Sequence, residues 1–177
     1  MTYLVVSSLA DMNATVAKHG ARDLLTLINA ETVVARPDGI AADRHLVLGF
    51  NDITEPVEGL AAPGETHVHQ LIEFGRSWSR ETPLAIHCFA GISRSTAAAY
   101  ILASTINPQL DAFALARELR RRAPSATPNI RLVGFADAIL GRGGRMVEAI
   151  GSIGRGADAF SGTPFVLPLT LDGEARG

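Results

Sequence analysis

The spacing of apolar residues divides the chain into short runs of strand type and longer amphipathic stretches. Residues 3–9 carry Leu4, Val5 and Val6, the bulk expected of a strand. Asp11 or Asn13 is placed to cap a short helix reaching about Lys18, and Gly20 stops it. Residues 24–28 are a second apolar run, short enough for a buried strand. Residues 32–35 suit strand or helix equally, and Arg36-Pro37-Asp38-Gly39 after them is turn chemistry. Residues 45–50 give a third strand that ends in Asn51-Asp52, and Pro56, Gly59, Pro63 and Gly64 mark 54–64 as a loop.

Helical spacing then takes over. Residues 65–80 put Val68, Leu71, Ile72 and Gly75 on one face, with Phe74 and Trp78 at core rather than binding-surface spacing. Pro83 ends that stretch, and residues 84–87 are a fourth, apolar strand. Residues 93–106 read as an alanine-rich helix, and 109–122 as another with Phe113, Ala116, Leu119 and Ala123 at core spacing. Pro124 and Pro128 break the pattern before helices over 129–140 and 145–153. Residues 164–171 alternate weakly, as an edge strand or an extended arm would. Strands interleaved with helices predict an α/β fold, a central, mostly parallel, four- to five-stranded sheet flanked by helices. Ligands in such sheets bind beyond the carboxyl ends of strands, which singles out Asn51-Asp52 and Cys88.

Composition narrows the function classes. With 177 residues, 47% hydrophobic and 19% charged, the chain reads as one folded domain over 1–177, not as a disordered segment. A net charge of -2 argues against nucleic acid or an anionic membrane as the main partner. No run of about 18 apolar residues predicts membrane insertion, and the N-terminus lacks the basic region of a signal peptide. Cys88 is the one cysteine, which precludes an intrachain disulfide and fits a reducing, cytoplasmic setting.

Residues 87–95 read His87-Cys88-Phe89-Ala90-Gly91-Ile92-Ser93-Arg94-Ser95, between an apolar strand and an alanine-rich helix. A loop running into a helix N-terminus turns several backbone N–H groups inward, where they and the helix dipole favour an anion. Gly91 permits the tight path, and the planar fork of Arg94 can hold two phosphate oxygens. The same field favours the thiolate of a cysteine at the start of the cradle. Cys88 is then a nucleophile beneath bound phosphorus, the backbone of Phe89, Ala90, Gly91, Ile92 and Ser93 holds phosphate oxygens, and Ser95 assists the sulfur's departure. His87 is read as ordering the loop. Asp52 is the expected general acid, because the third strand is expected beside the strand leading to Cys88; Glu55 is the fallback. Asp43 precedes the third strand and belongs at the other end of the sheet.

This pattern, with five residues between Cys88 and Arg94, resembles the signature of the cysteine-dependent protein tyrosine phosphatases, and most closely their dual-specificity branch. The acidic residue about 35 positions before the cysteine, and Arg122, Pro124 and Pro128-Asn129 after it, also look like that branch. The resemblance spans about residues 3–140 and leaves 141–177 as a C-terminal extension without an assigned role. It implies hydrolysis of phosphotyrosine, with phosphoserine and phosphothreonine open, through a phosphocysteine and without metal or cofactor. Its implied roles are nucleophile for Cys88, phosphate clamp for Arg94, acid for Asp52 by position, and leaving-group assistance for Ser95. Phosphorylated proteins or small phosphomonoesters are the implied partners. The alternatives are a phosphatase for a small-molecule or lipid phosphate, a sulfurtransferase of rhodanese type, and a non-catalytic phosphoprotein-binding module. The absence of a cation at Phe89, Ala90, Ile92 and Ser93 argues for a singly phosphorylated, partly apolar substrate.

Other features have plainer readings. His67 and His69, two apart on a helix, do not share a face and are expected at the surface. Arg120-Arg121-Arg122 is expected as a solvated face near a helix C-terminus, and residues 141–145 as a linker between helices.

Overall fold

The computed structural model describes residues 2–171. Five strands, β1 (Tyr3–Ser7), β2 (Asp23–Ile28), β3 (His45–Gly49), β4 (Leu84–His87) and β5 (Phe165–Pro168), form one sheet in the order β3-β2-β4-β1-β5. The first four are parallel, and β5 runs antiparallel to β1, pairing Leu167 with Leu4. The six helices are α1 (Met12–His19), α2 (Glu65–Ser77), α3 (Arg94–Ile106), α4 (Ala112–Arg122), α5 (Ile130–Ile139) and α6 (Arg145–Ile153). The larger core joins one face of the sheet to α2–α6, and a smaller one packs α1 with Val5, Leu24, Ile40 and Ala85 on the other face.

The strand order corrects one expectation. β3 does not adjoin β4, because β2 lies between them. Burial accounts for the choice: every β2 side chain is buried, as an interior strand requires, whereas β3 leaves Val47 exposed. The register then brings three carboxyl ends level, with both Thr26 of β2 and Ser7 of β1 opposite His87 of β4.

Local chemistry moves several element ends. Asp11 takes the N-cap position of α1 without a side-chain cap, and Gly20 closes the helix in the left-handed region. α2 stops at Ser77 because Trp78 turns extended, buries its ring and donates from Nε1 to the Thr82 carbonyl (3.0 Å). α4 starts at Ala112 because the Asp111 carboxylate accepts the Ala114 N–H (2.8 Å). Residues 31–41 are irregular, followed by a single 3-10 turn, Ala42–Arg44. Residues 165–168 settle the C-terminal alternative as an edge strand.

Of the arginine run only Arg121 is a solvated face residue. Arg120 donates to the carbonyls of Ile153 (2.7 Å), Gly154 (3.0 Å) and Ala126 (2.9 Å), tying the end of α6 to the turn after α4. Arg122 donates to the Val166 carbonyl of β5 and to Glu118, which also pairs with Arg121. These guanidinium groups satisfy carbonyls at element ends that helix and strand ladders leave unpaired.

Residues 141–144 do serve as a linker, with Arg145 already opening α6, and a buried carboxylate fastens it. Asp137 accepts from Gly144 N–H (2.7 Å), Met146 N–H (2.7 Å) and Val147 N–H (3.3 Å), so it caps α6 from a neighbouring helix. Asp137→Ala should therefore destabilise the protein by about 2 kcal/mol, the upper range for losing a helix cap. Urea unfolding measures this, and a loss below about 0.5 kcal/mol would show that α6 does not need this cap.

Candidate active site

The loop from Cys88 to Ser93 is shaped by what holds its carbonyls. The Cys88 carbonyl accepts from His87 Nδ1 (3.1 Å), that of Phe89 from Leu9 N–H (3.0 Å), and that of Ala90 from Gly162 N–H (2.8 Å). The Ile92 carbonyl accepts from Thr127 N–H (2.9 Å) and Thr96 Oγ1 (2.6 Å), and that of Ser93 from Asn129 N–H (3.1 Å) and Ala97 N–H (3.0 Å). In a trans peptide the N–H points opposite to the preceding carbonyl. Holding these carbonyls outward therefore turns the following N–H groups toward the thiol side, and Gly91 N–H lies 3.3 Å from Cys88 Sγ. Gly91 has φ +71°, and a Cβ there would lie 2.8 Å from the Ser7 carbonyl carbon and the Ser8 nitrogen. Glycine is thus required both by conformation and by the packing of the loop on the end of β1.

Cys88 Sγ is buried and lies 3.1 Å from Ser95 Oγ on the first turn of α3. His87, behind it, is fully buried. Since a carbonyl can only accept, His87 carries its proton on Nδ1 for Cys88. Burial, the largest cause, lowers its pKa from 6.5 to about 4, so the ring is neutral at physiological pH. His87 Nε2 then accepts from the Thr26 hydroxyl (2.7 Å), and Thr26 Oγ1 in turn accepts from His45 Nε2 (2.8 Å). One chain of hydrogen bonds runs from the residue 88–93 loop through β2 to β3.

Arg94 is buried at the start of α3. Its Nη1 donates to Asn29 Oδ1 (2.8 Å) and to the Phe50 carbonyl (2.8 Å), fixing the guanidinium plane against the ends of β2 and β3. Its Nε is buried without a partner among the described residues. A buried guanidinium N–H left unmatched is costly and calls for an acceptor. An oxyanion in the loop would supply one.

Asp52 reaches the loop although β3 is two strands away from β4. Phe50 is held by Arg94, and the chain then brings the Asp52 carboxylate to Ser93 Oγ (2.8 Å) and Asn129 Nδ2 (2.8 Å). Both donors meet Oδ1, and the side chain itself is at the surface. Glu55, the fallback acid, is exposed, and Asp43 lies at the opposite, amino end of β3. The loop thus brings together Cys88, Arg94, Ser95, Asp52 and His87.

Three participants escaped the sequence reading. Asn29 follows the carboxyl end of β2, so the strand-end rule that singled out Asp52 could have found it. Asn129 was legible only as the opener of a helix; it caps α5 through Oδ1 and uses Nδ2 for Asp52 and the Ile53 carbonyl. Gly162, in the unassigned extension, carried no signal. His67 is also not the surface residue expected: Nδ1 accepts from Gly64 N–H (3.0 Å), and its ring packs 4.8 Å from that of Phe50. His69 does remain exposed, beside Glu65. Among the described residues no group of three or more His, Cys, Asp and Glu side chains could hold a metal ion.

No family model and no curated protein matches the sequence. Solved structures match the fold. The PTP-2 phosphatase of Cydia pomonella superposes with a TM-score of 0.59 at 17% identity, over 75% of this chain and 83% of that one. Human DUSP28 superposes with a TM-score of 0.58 at 17% identity, over 78% of this chain and 94% of that one. The chain has the α/β fold of the dual-specificity and protein tyrosine phosphatases.

The buried histidine predicts an acid-side loss of stability. Its pKa is lower folded than unfolded, so the unfolded chain binds more protons, and stability falls as pH drops from 6.5 toward 4. Above 6.5 both states are neutral and the contribution is constant. The loss amounts to roughly 3 kcal/mol at the acid end. Urea titrations at pH 7 and pH 4 should show a smaller loss for His87→Gln than for the parent protein. Equal losses would show that His87 does not stay neutral in the fold.

Proposed function

We propose that the protein is a cysteine-dependent phosphomonoesterase acting on phosphoproteins, with phosphotyrosine the favoured substrate and phosphoserine and phosphothreonine admitted. The observation that carries this reading is the pairing of two groups on one loop. Cys88 Sγ sits beside Gly91 N–H and Ser95 Oγ, and the buried Arg94 Nε has no acceptor among the described residues. A phosphoryl group above the sulfur supplies what both lack, an electrophile for the thiolate and oxygens for the guanidinium and the N–H groups. The similarity to solved phosphatases supports the fold on which this chemistry rests.

In the first step Cys88 Sγ attacks phosphorus, the S–P bond forms and the ester P–O bond breaks. The departing oxygen takes its proton from Asp52. Ser93 and Asn129 hold Oδ1, which leaves Oδ2 to carry that proton. Arg94 and the inward N–H groups bind the three non-bridging oxygens as charge redistributes. In the second step Asp52 takes a proton from water, the water oxygen attacks phosphorus, and the S–P bond breaks. Ser95 Oγ donates to the departing sulfur, and inorganic phosphate leaves.

The substrate class follows from the rim. The loop positions not engaged in chemistry carry no cation, and Phe89 is 61% exposed at its edge. A single Arg94 and backbone dipoles match one phosphate, and an exposed aromatic ring suits an aryl or peptide flank better than a second charged group.

Hydrolysis of a phosphotyrosyl peptide and of p-nitrophenyl phosphate, both in EDTA, tests the mechanism. Cys88→Ser should abolish turnover while retaining vanadate binding, and full activity in that variant would overturn the nucleophile. Asp52→Asn should reduce kcat on the peptide by roughly 10²-fold and remove one limb of its pH profile. It should matter less for p-nitrophenyl phosphate, whose leaving group needs no proton. An equal effect on both substrates would remove Asp52 as the acid. Asn129→Ala should lower kcat on the peptide by about tenfold, with little change for p-nitrophenyl phosphate. Unchanged peptide turnover would show that Asp52 needs no support from Asn129.

A further inference from the structure

The segment joining α6 to β5, residues 154–164, passes over the back of the thiol-bearing loop. Two bonds seat it on the turn between α4 and α5: Gly156 N–H donates to Thr127 Oγ1 (3.0 Å) and Ala157 N–H to the Pro124 carbonyl (2.9 Å). A third reaches the loop itself, from Gly162 N–H to the Ala90 carbonyl (2.8 Å). No side chain separates the two backbones. A Cβ on Gly162 would lie 2.6 Å from the Gly91 oxygen and 3.3 Å from its carbonyl carbon, inside any real contact distance.

The Ala90 carbonyl and the Gly91 N–H are the two ends of one peptide plane. The plane accepts from Gly162 at one end and faces Cys88 Sγ at the other, 3.3 Å away. Hydrogen bonds in such a row polarise and orient one another. Gly91 is confined from two directions, by the Ser7–Ser8 backbone and by Gly162. The segment is fixed at both ends, through Arg120 on the Ile153 and Gly154 carbonyls and through the pairing of β5 with β1.

Resting on the phosphatase reading above, we propose that Gly162 is a positioning residue for the nucleophile. The strap formed by residues 154–164 sets the Ala90–Gly91 peptide plane, and so aims the Gly91 N–H at the sulfur and at the phosphate oxygens bound above it. The residue must be glycine because a side chain would wedge the strap off the loop.

The test compares wild type, Gly162→Ala and Gly151→Ala, the last a control on α6 where an added Cβ meets nothing within 4 Å. Gly162→Ala should lower kcat on p-nitrophenyl phosphate by roughly 10- to 100-fold, the scale of a misplaced catalytic group. It should also weaken vanadate binding and shift the pH profile of Cys88 alkylation by iodoacetate, while Gly151→Ala stays near wild type in all three. A folded Gly162→Ala protein with wild-type kcat, vanadate affinity and alkylation profile would overturn the proposal.

If Gly162→Ala does not fold, wild-type hydrogen exchange decides: saturating vanadate should increase protection across residues 154–164, and unchanged protection there would overturn the proposal. A wild type that neither hydrolyses p-nitrophenyl phosphate nor binds vanadate would sink the phosphatase reading first, and this inference with it. An active wild type matched by Gly162→Ala sinks this inference alone.

Discussion

Backbone hydrogen bonding around residues 88–93 is the constraint on which the rest of the site depends. A short loop that turns its N–H groups toward one point concentrates partial positive charge, an arrangement the loop cannot hold alone. Its carbonyls are paired on the other side by scattered parts of the chain: that of Phe89 by Leu9 just after β1, those of Ile92 and Ser93 by Thr96 and Ala97 of α3 together with Thr127 and Asn129 before α5, and that of Ala90 by the C-terminal strap through Gly162. The proposed anion cradle is the inner surface of a shell whose outer surface is ordinary backbone pairing. Much of the topology serves to bring these donors around one loop.

The same logic explains how two side chains from distant segments meet there. Arg94 is immobilised by carbonyl and amide oxygens at the ends of β3 and β2, which fixes its plane before any ligand arrives. Pre-ordering of this kind reduces the entropy lost when an oxyanion binds. Asp52 is steered indirectly, since Phe50 anchors its segment and Ser93 and Asn129 locate its carboxylate. Because Ser93 belongs to the loop, the Asp52 carboxylate and the proposed anion site share a support, and displacement of one disturbs the other.

The strands, the helices and the Cys88-to-Ser95 segment were legible because their signals are local. Periodicity marks a buried strand, and a Gly91 flanked by a cysteine and an arginine marks a cradle. Strand order was less legible: β3 was expected beside β4, and the full burial that makes β2 the interior strand depends on both faces being covered, which no window of sequence reports. The arginine run misled for a related reason. Three adjacent cations look like a solvated face, but Arg120 and Arg122 find carbonyls supplied by segments more than thirty residues later. Asn29, Asn129 and Gly162 act through partners that are far off in sequence; the place of Asn29 at a strand end hints at a site, but neither Asn129 nor Gly162 carries a mark of its partner.

The electrostatic design also bears on selectivity. Within the loop and the first turn of α3, formal positive charge comes from Arg94 alone, and the remaining attraction comes from N–H dipoles whose field falls off over one turn. Such a site is strong at one point and weak a few ångströms away. A second phosphate on the substrate would find no fixed cation on the loop to offset its desolvation, whereas an aromatic or aliphatic flank meets the exposed ring of Phe89 at little cost. Under the proposed function, a preference for a single phosphate on a partly apolar carrier would follow from where positive charge is absent as much as from where Arg94 places it.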